Sequence, residues 1–430
     1  MISYQHSVSL DQDRCIGCTS CLRHCPTEAI RIREGRAVIN SEICIDCGMC
    51  VRVCRHKAKR AVFDKLEDIS PNYKLKIALP APALYGQFEK VRDVGRIIEA
   101  LKKCGFDEVY EVARAAEIIS ECTRRYLMKK DVQRPVISSA CPAIVRLIRL
   151  RFPYLCDKLL PILPPAEYAS RMAKAEALKR HPELTKEDIC TVFISPCPAK
   201  TSYAKNGLSQ TRSSIDYVVS ISEMYFKLRG KLKDATRSQT RSEAGIIGVD
   251  WASSGGEAAA LNADRYLAAD GMENAIQVLE KIDTGKFPKV EFVELNACSG
   301  GCVGGAATVE NPFIAKARLK VLHRWLPHNG DIFEWDEDSS ELPEDVLLDY
   351  PINYMPAMRL NENRGIAMQM MSDIENIYAQ LPRIDCGSCG SPTCHAFAED
   401  VVKGEISMDE CIVLMRRKIH EINQTGDQTP

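Results

Sequence analysis

"VEFVELNACSGGCVGG", residues 290–305, opens as an apolar, β-branched run and closes with two cysteines four apart among four glycines. A helix would not accept those glycines, since each costs about 1 kcal/mol in a helix interior. The run reads as a strand that breaks into a loop, with Cys298 and Cys302 just past its end. Three other segments repeat this arrangement: "KLKIALPAP" (74–82), "RPVISSACP" (134–142) and "TVFISPCPAK" (191–200). Helical patterns lie between them, as in Val91, Val94, Ile97, Ile98 and Leu101, which fall on one face. Residues 73 to 325 are therefore expected to be α/β, with Cys141, Cys197, Cys298 and Cys302 past strand ends, where open parallel sheets bind ligands.

The chain has 430 residues, enough for two to four domains, and a net charge of −1 with 45% hydrophobic residues. That balance argues against nucleic acid or an anionic membrane as the main partner. No apolar run reaches 18 residues, so no membrane span is expected. The N-terminus, "MISYQHSVSLDQD", lacks the apolar core of a secretion signal, and a cytoplasmic location is expected. Such a chain keeps its thiols reduced, so its 20 cysteines point to metal or redox chemistry rather than disulfides.

The cysteines fall into sets. Cys15, Cys18, Cys21 and Cys25 are repeated as Cys44, Cys47, Cys50 and Cys54, each a CxxCxxCxxxC run. This is the spacing of bacterial ferredoxins with two 4Fe-4S cubanes. Each tight turn supplies three corners, and the remote cysteine closes the other cluster. Cys15, Cys18, Cys21 and Cys54 are expected to hold one cubane, and Cys44, Cys47, Cys50 and Cys25 the second. Structural zinc is the competing reading. Arg52, Arg55, Lys57, Lys59 and Arg60 form a basic run beside the last of these ligands, read as a solvated face or a docking patch for an acidic electron carrier.

Between 331 and 358 there is no Lys or Arg, and acidic residues crowd the start, as in a surface-hugging linker. A helix is expected next, with Ile366, Met370, Ile374, Ile377 and Leu381 on one face. The chain then reaches "CGSCGSPTC" and Cys411. Cys386, Cys389, Cys394 and Cys411 suggest another cubane at a helix start, with zinc again the competitor. The segment resembles the four-cysteine iron–sulfur domain of carbon monoxide dehydrogenase corrinoid subunits. His395 reads as helix surface, and Cys104, Cys122, Cys156 and Cys190 as core packing.

"SSACPAI", "SPCPAK" and "ELNACSGGCVGG" occur in this order and resemble the three signature motifs of the iron-iron (FeFe) hydrogenase family over about residues 73 to 325. The resemblance implies an H-cluster: a cubane joined through one cysteine to a diiron unit carrying CO, cyanide and an azadithiolate bridge. By motif position Cys141, Cys197 and Cys298 bind the cubane, and Cys302 binds it and bridges to the diiron unit. Lys200 matches the lysine that hydrogen-bonds a cyanide, and Ala81 and Pro82 match the segment lining the diiron pocket. The implied partners are H2, protons, an electron carrier or signalling partner, and maturation proteins.

The sequence departs from fast members of that family. Ala140 replaces the cysteine before the first ligand, and Ser195 and Asn296 replace methionines of the second and third motifs. The glutamates of the usual proton route align with Thr123 and Tyr126, and its serine with Pro164. Glu257, in "SSGGEAAA", is the expected substitute carrier. Relatives with such losses and an added C-terminal cluster resemble sensory members, which report H2 or redox state. The alternative is a non-catalytic iron–sulfur scaffold like the prelamin-recognition-factor relatives, or a plain electron-transfer protein. The expected architecture is a ferredoxin-like module (1–70), a two-lobed α/β H-cluster domain (71–325), a linker (326–362) and a small helical iron–sulfur domain (363–430). Four 4Fe-4S clusters and one diiron unit are expected in all.

Overall fold

The structure, a computed structural model, describes residues 6–208, 212–234, 240–262, 264–327, 341–355 and 360–426. It divides into two compact units. One is built from Val8–Cys44, Met49–Arg60 and Pro356–Pro430, the other from Met1–Ser7, Ile45–Gly48 and Ala61–Met355.

In the smaller unit β1 (Val8–Leu10) pairs with β4 (Lys59–Ala61), and β2 (Ile30–Arg33) pairs antiparallel with β3 (Arg36–Ile39). Glu34 and Gly35 join β2 to β3, both at positive φ, as a two-residue hairpin that matches strand twist requires. Val8, Leu22, Ile30, Ala37 and Ala58 pack together around Cys15, Cys21 and Cys50. The same unit holds the helices Arg364–Gln380 and Cys394–Val402, packed through Ile374, Leu381, Phe397 and Ala398. The expected apolar face of the first helix holds only at its C-terminal end: Ile374 and Leu381 are buried, Met370 is half-buried, and Ile366 is 49% exposed.

The larger unit is α/β and carries two parallel sheets. The first has strand order β6–β5–β8–β9, from β5 (Leu75–Pro80), β6 (Glu108–Val109), β8 (Ile189–Ser195) and β9 (Tyr217–Ser220). The second has order β10–β11–β7, from β7 (Val136–Ile137), β10 (Tyr266–Asp270) and β11 (Phe292–Asn296). All seven residues of β8 are buried, as covered parallel strands must be. β5, β7, β8 and β11 are the four strands read from the sequence, and β5, β7 and β8 each run out into proline. Cys104 is partly buried, and Cys122, Cys156 and Cys190 are packed in the interior.

Of the expected linker, residues 328–340 and 356–359 lie outside the described residues. The part 341–355 follows the surface of the larger unit. Val346 is fully buried there, Leu163 N–H donates to its carbonyl at 2.9 Å, and Met355 N–H donates to Arg149 O at 2.9 Å.

Candidate metal centre

Cys141 and Cys197 are the N-caps of the helices Pro142–Arg151 and Pro198–Asn206. Proline at the first helical position suits both, because its missing N–H would have had no partner there. The helix N-termini point their positive ends toward the two thiols, which favours the thiolate form. Cys298 follows β11, and Cys302 opens the single turn Cys302–Gly304. The glycines of this loop are needed for close passage. A Cβ on Gly301, at φ +88°, would lie 2.4 Å from Ser254 N, and one on Gly305 would lie 2.2 Å from Pro196 O. The loop is threaded between the segments that follow Ala252 and Ser195, and only bare backbone fits.

Lys200, one turn into the helix after Cys197, sets Nζ 3.4 Å from Cys302 Sγ. Burial works against its ammonium, but the thiolates of Cys302, Cys197 and Cys141 outweigh it and hold Lys200 above its ordinary value. Burial pushes the Cys141 thiol up, and it pushes Cys197 up to about 11, with Lys200 opposing both shifts. Metal binding at these sulfurs would displace any thiol protons.

Beside them is a cavity lined in part by Ala81, Pro82, Cys141, Lys200, Glu257 and Cys302. Ala140, Pro164 and Asn296 also line it. Thr123 is fully buried and donates its hydroxyl to Ile119 O at 2.8 Å, within its own helix. Burial holds the Tyr126 phenol above its ordinary range.

Glu257 is 5% exposed and faces the cavity. Ser138 Oγ donates to its carboxylate, 2.7 and 2.8 Å from the two oxygens, and itself accepts from Ala140 N–H at 3.2 Å. Burial, and then the neighbouring Glu294, push Glu257 up to about 8, with Ser138 and Lys200 pulling the other way. Glu294 also lines the cavity and is 2% exposed. Burial raises it, against hydrogen bonds from Ala258 N–H (2.9 Å), Gly255 N–H (2.9 Å) and Asn296 Nδ2 (2.6 Å). Asn296 thus supports a buried carboxylate that the sequence reading missed, and Ser138 was missed with it. The available signal was a lone Glu in the apolar strand β11. Ser195 Oγ donates to Cys197 O at 3.0 Å and accepts from Cys197 N–H at 3.3 Å, bracing that loop.

In the smaller unit Cys15, Cys18, Cys21 and Cys54 line a second cavity. Ala29 N–H points at Cys25 Sγ and Ala58 N–H at Cys54 Sγ, each at 3.2 Å, as backbone donors do toward anionic sulfur. Burial pushes Cys50 up to about 12, with Cys25 adding to the rise. Lys59 corrects the reading of a solvated basic run. Arg52, Arg55, Lys57 and Arg60 are exposed, but Lys59 is 3% exposed, lines this cavity and has no hydrogen-bond partner at Nζ. It stands five residues after Cys54, where the first half of the repeat has Ile30 five after Cys25. Its charge opposes the burial-driven rise of both Cys21 and Cys50.

Cys44 lies in the smaller unit, whereas Cys47 sits on the segment Ile45–Gly48 of the larger one. There a Cβ on Gly48 would meet Ala306 Cβ at 2.6 Å and the Pro198 ring at 3.5 Å, so this loop lies against the segments bearing Cys197 and Cys302. In the C-terminal set Cys394 begins its helix, and its N–H donates to Asp385 Oδ1 at 2.6 Å. Burial raises Cys389, with Cys386 and Cys411 adding to it, so these three are neighbours. His395 is on the surface against Tyr378 and Glu375. Among the described residues no three His, Cys, Asp or Glu side chains converge closely enough for a single ion.

The chain is similar to known proteins along most of its length. The family "Iron only hydrogenase large subunit, C-terminal domain" matches residues 74–263 and 229–306. A 4Fe-4S dicluster domain matches 7–55, and an Fe-S cluster family matches 381–413. The periplasmic Fe hydrogenase large subunit of Nitratidesulfovibrio vulgaris is 27% identical over 74% of this chain and 90% of its own length. The human nuclear prelamin A recognition factor is 23% identical over 50% of this chain and 59% of its own. The corrinoid/iron-sulfur protein large subunit of Moorella thermoacetica is 54% identical over 35 residues, 8% of each chain. Among solved structures, a variant of the FeFe-hydrogenase HydA1 from Chlamydomonas reinhardtii covers 65% of this chain and 88% of its own, with 18% identity and a TM-score of 0.47. With the hydrogenase match running through more than half its length, the chain belongs to the iron-iron hydrogenase family and carries iron–sulfur cluster domains at both ends.

Proposed function

We propose that this chain is an FeFe hydrogenase of low turnover that interconverts 2H⁺ + 2e⁻ and H2 and serves as an H2 or redox sensor. The observation that carries the proposal is the buried pairing of Lys200 with Cys302 in the lining of a cavity that Glu257 also lines. Cys141, Cys197, Cys298 and Cys302 would hold the H-cluster cubane. Cys302 would also join it to a diiron unit in the cavity, which supplies an open iron where H2 is made or split. Lys200 fits a cyanide ligand there as a charged donor, and Ala81 and Pro82 shape the wall. Cys15, Cys18, Cys21 and Cys54 would hold one N-terminal cubane, Cys44, Cys47, Cys50 and Cys25 the other, and Cys386, Cys389, Cys394 and Cys411 the last.

Slow turnover follows from the proton route. Ala140, Thr123, Tyr126 and Pro164 offer no group that titrates near neutral pH, so Glu257 takes the proton nearest the site and Glu294 passes it on. The sensory role rests on these losses together with the terminal cluster domain. The same reading includes a cytoplasmic location, maturation proteins that load the diiron unit, and an electron carrier or signalling partner.

Infrared spectroscopy of protein made with the maturation enzymes tests the proposal. Bands from CO and cyanide are expected, with about 18 iron atoms per chain, four cubanes plus a pair. Absence of those bands with about 16 iron atoms would select the non-catalytic scaffold, the role suggested by the prelamin-type relative.

A further inference from the structure

The terminal cysteine loop lies on the N-terminal cysteine module, inside one compact unit. Arg23, between Cys21 and Cys25, donates from Nη2 to the carbonyl of Cys386 at 3.0 Å. Ile32 N–H, in β2, donates to Gly390 O at 2.8 Å, so the loop adds to the hairpin edge. Both glycines of "CGSCG" serve this approach. A Cβ on Gly390, at φ +84°, would lie 2.2 Å from Ile32 O, and one on Gly387, at φ +68°, would lie 3.1 Å from Leu22 Cδ2.

An ion cluster fixes the contact. Asp400, 3% exposed, accepts from Arg31 Nε at 2.7 Å, from Arg33 Nη2 at 2.7 Å and from Ser391 Oγ at 2.6 Å. Thr393 Oγ1 donates to Glu28 Oε2 at 3.1 Å nearby. A carboxylate so buried is tolerable only while its arginines stay in place, so the geometry is that of a permanent junction rather than a passing encounter.

We propose that this junction makes the C-terminal cubane the outer station of the electron chain, exchanging single electrons with the N-terminal cluster pair through the Cys386–Arg23 contact. One electron leaves the reduced C-terminal cluster, which is oxidised by one unit, and reduces an N-terminal cluster. The reverse holds during H2 oxidation, and no bond or proton changes hands. The external partner is a one-electron carrier. Electron transfer fades steeply with distance, and here the ligand-bearing loops touch with no solvent layer between them. The inference rests on the reading that both cysteine sets hold cubanes.

The test is electron paramagnetic resonance of the full, cluster-loaded chain after reduction by dithionite and methyl viologen. Spin–spin splitting between the C-terminal cluster and an N-terminal cluster is expected. The double change Arg31→Glu with Arg33→Glu should abolish that splitting at unchanged iron content, and slow reduction of the C-terminal cluster by H2 at least tenfold. Adding Asp400→Arg should restore both, which guards against a variant that merely misfolds. Loaded clusters with no splitting in the unaltered chain, or splitting indifferent to the charge reversal, would overturn the junction. Failure of the Cys386 set to load a cubane at all would instead remove the iron–sulfur reading beneath it, and the junction with it.

Discussion

Replacing Glu257 by Gln keeps its shape and its contact with Ser138 while removing its proton. Burial and Glu294 raise this carboxyl to about 8, so the sign of its pH dependence is set. To carry protons away during H2 oxidation it must first be ionised. A group titrating near 8 is ionised in about one molecule in ten at pH 7 and in about one in a hundred at pH 6. Oxidation by the unaltered protein should therefore climb about tenfold per pH unit toward pH 8 and then level off. H2 evolution needs the protonated form and should fall above that point. In the Gln variant both directions should drop by about 10²–10⁴, the usual worth of one acid–base link, and the step near pH 8 should vanish. Film electrochemistry across pH 5 to 10 reads both directions in one sample, with infrared bands checking that the diiron unit is still loaded. A loaded Gln variant with unchanged turnover and an unchanged pH profile would eliminate Glu257 as the relay.

Cys302→Ala should abolish the diiron bands and all H2 chemistry while the N-terminal clusters persist. Cys394→Ala should remove one terminal cubane and leave H2 chemistry measurable with viologen dyes, and equal loss in both variants would make the terminal cluster structurally essential. Ala140→Cys alone should recover little activity in a dye-linked assay, because Thr123 and Tyr126 still break the route behind it; a large recovery would show that the upstream alignment is wrong. Lys59→Met should lower the midpoint potential of the N-terminal clusters, since an unpartnered buried ammonium favours the electron-rich cluster. Tenfold in the reduced-to-oxidised ratio at fixed potential, about 59 mV for one electron, is the scale expected in a redox titration, and an unmoved potential would show that the charge is compensated.

Periodicity and punctuation located β5, β7, β8 and β11, because each is a short apolar run ending at proline or glycine. The iron–sulfur domains at 7–55 and 381–413 were legible for a related reason: ligand spacing in such domains is local, and clusters take several ligands from one turn. What escaped was set by packing between distant segments. Glu294 reads as one polar residue in a strand, and only the fold shows that both faces of β11 are covered. Lys59 sits in a run of four cations that do face water, so local charge gave the wrong answer for it. Arg31 and Asp400 are 369 residues apart, beyond any pattern of turns or periods. The face expected for Ile366 failed because only the last turns of that helix meet a neighbour.

The smaller unit is assembled from chain segments on either side of the larger one, and this orders its biosynthesis. Val8–Cys44 and Met49–Arg60 leave the ribosome ahead of most of the larger unit, yet the stretch from Pro356 onward leaves after it. Through the intervening synthesis Arg31 and Arg33 await their carboxylate, and the N–H of Ile32 is an open strand edge able to recruit another nascent chain. A chain halted after Met355 would carry that edge indefinitely and should be handled by the cell as an aggregation-prone fragment, even with Cys141, Cys197, Cys298 and Cys302 all present.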